Sequence, residues 1–342
     1  MKITITSRTL QFKQPAKTSR GEYTHRLSRY VHVEVDGVCG VGECATLPDL
    51  SCDEVPDYDR LLRQFCTMIE STGTIPYDQL RPYPSMLFGI ETAFAQVRAG
   101  GSAALFDTPF GRGEVGIPIN GLVWMGTYDQ MLERMQRKLD DGFGCIKLKI
   151  GGIDFAKEIE LLRIIREAFP ANKVQLRLDA NGAFTPDDAL LKLDALSHFD
   201  IHSIEQPIKP RQWDSMSHLC ASSPIPIALD EELIGVNLPE EKERLLETLR
   251  PRYIVLKPSL HGGMLGSREW CDMARHRGIG SWLTSALESN VGLNAISHLA
   301  ASMYDSDEMM PQGLGTGQLF TDNIDMPIAL RGDRMWFDPT TK

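Results

Sequence analysis

Five charged residues recur from residue 149 to residue 257 of the chain, each at or near the end of a short apolar run. They are Lys149 in CIKLKI, Asp179 in VQLRLD, Glu205 in IHSIE, Asp230 in IPIALD and Lys257 in YIVLK. Successive members stand 25 to 30 residues apart, about the length of one strand–helix unit. A charge at the end of a buried strand is costly unless something pairs it. Five in register therefore describe one polar site built by consecutive strands.

Asp179, Glu205 and Asp230 fall on the third, fourth and fifth strands of such an array, side by side. Three adjacent carboxylates repel one another and are partly protonated unless a cation lies between them. Oxygen ligation without His or Cys selects a hard ion, so Mg²⁺ is expected, with Mn²⁺ as its substitute. Taken singly, each acid would equally well cap a helix or pair with a local base. Three in register argue for the metal.

Lys147 and Lys149 are two apart on one strand and point to the same side. Their repulsion, a nearby divalent ion and partial desolvation are expected to depress the ammonium pKa. General base work near neutrality asks for a lysine at roughly 7–8. An exposed edge strand would also carry Lys-x-Lys, but the surrounding Ile and Leu argue for burial. Lys257 lies on the sixth strand, diametrically opposite the second in an eight-stranded barrel. Lys149 and Lys257 would then flank the α-carbon of a metal-bound carboxylate substrate. One lysine moves the α-proton and the opposite cation stabilises the enediolate.

The elements that must position these groups follow from the patterning. Residues 1–112 read as an α+β domain, with a strand at ITITSRTLQF, a hairpin YVHVEV–DG–VCGVGEC and two helices. Residues 14–26, polar and containing Gly21, read as a connection between the first strand and that hairpin. Residues 113–320 alternate strand and helix, giving eight strands and seven helices: an α/β fold, a modified (β/α)7β TIM barrel. The eighth strand, near GLGTG, is weak. No glycine-rich phosphate loop follows the first strand, which argues against an open doubly wound sheet. Residues 321–342 are expected to return to the first domain.

Composition narrows the partners. The chain has 342 residues and a net charge of −10 with no basic run, so neither nucleic acid nor an anionic membrane is expected. MKITITSRTL alternates like a strand and lacks the apolar core of a signal peptide. No run approaches the roughly 20 apolar residues of a membrane span. Seven cysteines without a CxxC pair read as reduced thiols of a cytoplasmic protein. The partner expected is a small-molecule carboxylate, and a homo-oligomer is compatible with all of this.

The motifs Lys147-Leu148-Lys149, Leu178-Asp179-Ala180-Asn181, Ile204-Glu205-Gln206-Pro207, Leu229-Asp230-Glu231 and Leu256-Lys257-Pro258 resemble the series of the enolase superfamily's muconate-lactonising subgroup. Gly40-Val41-Gly42-Glu43 resembles a turn of that subgroup's capping domain. A lysine base with Mg²⁺ stabilising an ene-diolate is the known scheme of the superfamily. Within it, the chain most resembles the o-succinylbenzoate synthases, Mg²⁺-dependent dehydratases of 2-succinyl-6-hydroxy-2,4-cyclohexadiene-1-carboxylate in menaquinone biosynthesis. That resemblance implies Lys149 as the group that takes the α-proton and protonates the departing hydroxyl, Lys147 as its tuner and Lys257 as the opposing cation. The roles of Lys149 and Lys257 are exchangeable at this level.

The resemblance also implies substrate contacts at Arg177, Asn181, Thr284, Ser285 and Ala286, with the helix start at residues 290–292 favouring the succinyl carboxylate. Arg177 would equally serve to neutralise the acids from one layer below. A cap loop at residues 17–23 is expected to close over the site and exclude water. Two departures stand out: Ile90–Gln96 lacks an aspartate that many relatives carry, and residues 313–318 lack the Asp-x-Asp of dipeptide epimerases. N-succinylamino acid racemase, dipeptide epimerase (the least favoured) and muconate cycloisomerase remain as sister activities, and a non-catalytic binding barrel as the reading from another class.

Overall fold

A computed structural model describes residues 1–18, 21–124, 126–317 and 319–340. The first unit opens with β1 (Lys2–Thr18), which pairs antiparallel with β2 (Gly21–Val35), and β2 pairs with β3 (Val38–Cys44). Asp36 and Gly37, both at positive φ, make the expected tight turn. Residues 14–26 are not a separate connection: pairing continues to Thr18↔Gly21, past an irregularity between Gln11 and Ala16. Most described residues of this stretch are exposed, with only Ala16 and Arg26 buried and Tyr23 half-buried, so it has little apolar alternation to read, while its backbone groups still satisfy one another. Ser19 and Arg20 lie outside the described residues, so the expectation of a closing loop at 17–23 falls partly outside them.

Helices α1 (Tyr58–Thr72), α2 (Tyr77–Leu80) and α3 (Pro84–Arg98) complete this unit. The Gly-x-Gly of β3 is explained by α3. A Cβ at Gly40 would stand 2.1 Å from Ala93 O, and one at Gly42 only 1.8 Å from Gly89 O. Glycine here lets helix and strand backbones touch.

After β4 (Ile117–Pro118), strands and helices alternate through β5 (Gly121–Val123), α4 (Tyr128–Asp140), β6 (Cys145–Lys149), α5 (Phe155–Ala168), β7 (Gln175–Asp179), α6 (Pro186–Ser197), β8 (Ile201–Glu205) and α7 (Trp213–Ser222). The series continues with β9 (Ile227–Leu229), α8 (Pro239–Leu249), β10 (Tyr253–Leu256), α9 (Gly263–His276), β11 (Gly280–Leu283) and α10 (Asn290–Met303). The parallel sheet runs β5-β6-β7-β8-β9-β10-β11 in order. Outward side chains such as Leu148, Leu178, Ile204, Leu229 and Leu256 are buried under the helices. Inward ones are the charged set. Helix starts follow their caps: Thr185 and Asp188 form a reciprocal capping box at Pro186.

The expected eighth strand is reduced to a bridge. Gln312 pairs with Ile119 and Gly313 with Thr284, which joins the two sides of the curled sheet. Only a glycine fits at 313, where a Cβ would lie 2.3 Å from Thr284 Oγ1. A Gly-rich segment of this kind closes a barrel without holding a regular strand. Beyond it, Thr321 and Asp322 bond Gln11 of β1, while β12 (Ile328–Arg331) and β13 (Arg334–Phe337) form a hairpin whose second strand pairs with β4.

Two buried glutamates dock the first unit onto the barrel. Glu43 on β3 accepts from Ser28 Oγ, from Ser289 N and Oγ, and from Gly292 N, at 2.6–3.0 Å. Glu91 on α3 accepts from Met264 N and Leu265 N at the start of α9. Glu43→Ala would strand several donors, and a loss of about 3 kcal/mol or more is expected in denaturant unfolding. Burial outweighs the two N–H groups at Glu91 and pushes its pKa up to about 8. An acid raised in the folded state favours folding when protonated. Its contribution is therefore complete below the unfolded value near 4.5 and fades as pH rises through 8. Relative to wild type, Glu91→Gln should lose less stability over this window, the difference growing by up to about 1.4 kcal/mol per pH unit. Urea midpoints measured from pH 5 to 8.5 check it.

Candidate active site

The register places the charged residues together. Lys149 on β6 stands opposite Asp179 on β7, and Asp179 opposite Glu205 on β8. Asp230 and Lys257 directly follow β9 and β10. All three acids are buried. Lys147 Nζ lies 2.6–2.8 Å from both Glu205 and Asp179. Lys149 Nζ donates to Asp179 Oδ2 at 3.1 Å and to Asn181 Oδ1 at 2.5 Å. Lys257 Nζ donates to Asp230 Oδ2. The ammonium groups thus border the acid cluster on two sides, Lys149 toward Asp179 and Lys257 toward Asp230, with Lys147 between Asp179 and Glu205.

Electrostatics at two of the lysines are set by the carboxylates beside them. Burial alone pushes Lys147 and Lys257 down, yet the carboxylates beside them outweigh it and leave both raised. At Lys147 and Lys257 the attraction of the carboxylates exceeds the repulsion between ammoniums; the expected depression concerns a site whose acids also hold a divalent ion. Burial raises Asp179 too, but Lys147 and Lys149 together hold it well below the usual range. Glu205 is pushed up by burial and then by Asp179, and Asp230 mainly by burial. Three adjacent acids in a dry site do not all ionise comfortably on lysine counter-charge alone.

That is the test for a metal. Asp230 Oδ1 is buried and accepts no hydrogen bond, and Glu205 and Asp230 resist ionisation beside each other. An all-oxygen set of this kind fits a hard divalent ion. Among the described residues no three His, Cys, Asp or Glu side chains already converge as a ligand set, the Lys147 ammonium standing between two of the acids. Asp179, Glu205 and Asp230 are the residues that could hold the ion.

Above the cluster opens a pocket of about 860 Å³ including its mouth. Lys147, Lys149, Asp179, Asn181, Lys257, Thr284, Ser285 and Ala286 all line it. Arg177 does not. It sits one layer below, stacked 4.2 Å from the Trp282 ring and donating to Pro311 O, as strand alternation also allowed. The helix start at residues 290–292 is not a free anion site either. Ser289 N and Gly292 N are spent on Glu43, Val291 N on Ser289 Oγ and Asn290 N on Asn323. The Ala286 N–H donates to Glu288 Oε2.

Several residues escaped the sequence reading. Leu47 and Leu50 reach the pocket from the loop after β3, beside Leu122 of β5 and Trp124 just after it, and form its apolar wall. Two leucines in a Pro-containing loop were the available signal. Glu231 accepts from Asn181 Nδ2 at 3.0 Å and so orients the amide that receives Lys149. His261 Nδ1 accepts the Lys257 backbone N–H at 2.9 Å, anchoring that lysine's base. Thr316 pairs with Ser285 at 2.5 Å, hydroxyl to hydroxyl, at the pocket wall. Gln318 lies outside the described residues.

Comparison with known proteins adds an independent line. The family model for enolase C-terminal domain-like proteins matches residues 130–326. The o-succinylbenzoate synthase of Desulfotalea psychrophila is 43% identical over 97% of this chain and 98% of its own. The crystal structure of MenC from that organism superposes with a TM-score of 0.84 at 40% identity, covering 98% of this chain and 99% of that one. The o-succinylbenzoate synthase of Thermosynechococcus elongatus, solved with Mg in its active site, shares the fold at a TM-score of 0.75 and 24% identity, covering 94% and 95% of the two chains.

Proposed function

This chain belongs to the enolase C-terminal domain-like family, and from that premise we propose that it is an o-succinylbenzoate synthase. Its reaction is the syn dehydration of 2-succinyl-6-hydroxy-2,4-cyclohexadiene-1-carboxylate to 2-succinylbenzoate. The observation that carries the reading is the pair Lys149 and Lys257, set against different acids of one buried cluster and both lining one pocket. Identity of 43% to a synthase over nearly the full chain supports the substrate assignment.

Asp179, Glu205 and Asp230 would hold Mg²⁺. When bound, the ion supplies charge neutralisation and polarises the substrate carboxylate. Lys149 Nζ, in its neutral form, takes the α-proton, and the C–H electron pair moves toward the carboxylate as an enediolate. Lys257 Nζ, as an ammonium on the other side, stabilises that negative charge. The C–O bond then breaks, and the proton on Lys149 Nζ leaves with the hydroxyl as water on the same face. The ring becomes aromatic, which drives the step forward. Asn181, oriented by Glu231, keeps Lys149 aimed, and Lys147 stays with Glu205 and Asp179. Leu47, Leu50 and Trp124 exclude water above the ring. The thiols, none of them in a disulfide, favour a cytoplasmic site of action.

A dipeptide epimerase is disfavoured by Gly313, Gly315 and Thr316 at the pocket wall, which offer no carboxylate for a substrate ammonium. The test is to mix the protein, Mg²⁺ and the cyclohexadiene substrate and follow ultraviolet absorbance. Conversion to 2-succinylbenzoate is expected; an unchanged spectrum removes the synthase assignment.

A further inference from the structure

The loop between β11 and α10 forms one wall of the pocket through Thr284, Ser285, Ala286 and Leu287. β11 ends at Leu283, and beyond the bridge of Thr284 and Ser285 to Gly313 strand pairing no longer sets its path. Leu287 is left-handed, with φ of 64°, which a non-glycine residue holds only where its surroundings impose it. The constraint comes from both sides of Ala286. Its N–H donates to Glu288 Oε2 at 2.6 Å, and its carbonyl accepts from Nη1 of Arg26.

Arg26 belongs to β2, opposite Leu10 of β1 in the long hairpin of the first unit. The residue is only 3% exposed, and Nη2 donates to Ala45 O at 2.9 Å. Glu288 is 1% exposed, feels the positive charge of Arg26, and accepts from Ser259 Oγ two residues beyond Lys257. A chain of buried polar groups therefore runs from the hairpin, through Ala286 and Glu288, to the turn that carries the second lysine. A buried arginine bonded to two backbone carbonyls is costly to maintain for packing alone.

We propose that Arg26 is a positioning residue that fixes the 284–287 wall, so that the seating of the hairpin sets the fit of the substrate against that wall. As a statement about substrate fit this rests on the synthase reading; as a statement about loop order it does not.

The experiment compares wild type, Arg26→Met and Arg26→Lys in the full chain. Amide exchange at residues 284–289 is measured without substrate, and KM and kcat with it. In Arg26→Met, exchange at these residues should rise and KM increase, each by about tenfold, as expected for a lost charge-assisted hydrogen bond. The kcat should stay within about twofold, because neither the acids nor the lysines are touched. Arg26→Lys, able to reach one of the two carbonyls, should fall between. Unchanged exchange in both variants, or a fall in kcat with KM unchanged, overturns the proposal. If Arg26→Met does not fold, Arg26→Lys decides alone: exchange faster than wild type supports the role, and equal exchange overturns it. A wild type that fails to turn over the substrate removes the synthase reading, while the exchange comparison still judges Arg26.

Discussion

Lys149→Ala is expected to lower kcat for the dehydration by about 10²–10⁴-fold, the range for a general acid–base group. The side chain makes two contacts, with Asp179 and Asn181, and reaches the pocket wall. Its loss leaves Asp179 still paired with Lys147, so the fold and the acid cluster should survive. KM should change little, because the lysine acts on the proton in transit rather than on the bound carboxylate. Steady-state kinetics with a thermal melt on the same preparation separate these effects. A variant that melts like wild type and turns over at the wild-type rate would take the proton-moving role away from Lys149.

Glu205→Gln should abolish both turnover and the stabilisation that Mg²⁺ confers. Glu205 is buried between Asp179 and Asp230, and both burial and those neighbours resist its ionisation. An ion that binds only the folded state at about 100 times its dissociation constant adds about 2.7 kcal/mol to stability. In wild type this should appear as a rise in melting temperature on adding Mg²⁺, reversed by a chelator. Without the Glu205 charge the affinity should fall by more than the roughly 10–100-fold typical of groups behind a ligand, and the rise should vanish. A full Mg²⁺-induced shift in Glu205→Gln would exclude that residue from the metal site.

Much of this site was legible in the sequence because barrel strands impose a strict rule: residues two apart face the same way, and strand ends meet at one rim. Lys147, Lys149, Asp179, Glu205, Asp230 and Lys257 needed nothing more than that rule and the regular spacing. Which carboxylate each lysine pairs with was not legible, because Lys147 between Asp179 and Glu205 and Lys257 on Asp230 depend on distances across the rim that spacing does not carry. Arg177 obeyed the same rule but sits one layer too deep, where the choice between substrate and Trp282 is one of height along the strand. The helix start at residues 290–292 looked like a free anion site because nothing local to it announces Glu43, about 250 residues earlier in the chain. The eighth strand and residues 14–26 were misread for opposite reasons. GLGTG is too glycine-rich to hold a strand, and the hairpin is too polar to look like one.

Crystals grown with Mn²⁺ and 2-succinylbenzoate would test the central claim most directly. The account predicts an anomalous peak shared by Asp179, Glu205 and Asp230, with the benzoate carboxylate on it and the ring carbon beside that carboxylate flanked by the Lys149 and Lys257 ammoniums. A peak away from those acids, or a product ring with both ammoniums on the same face, would contradict it.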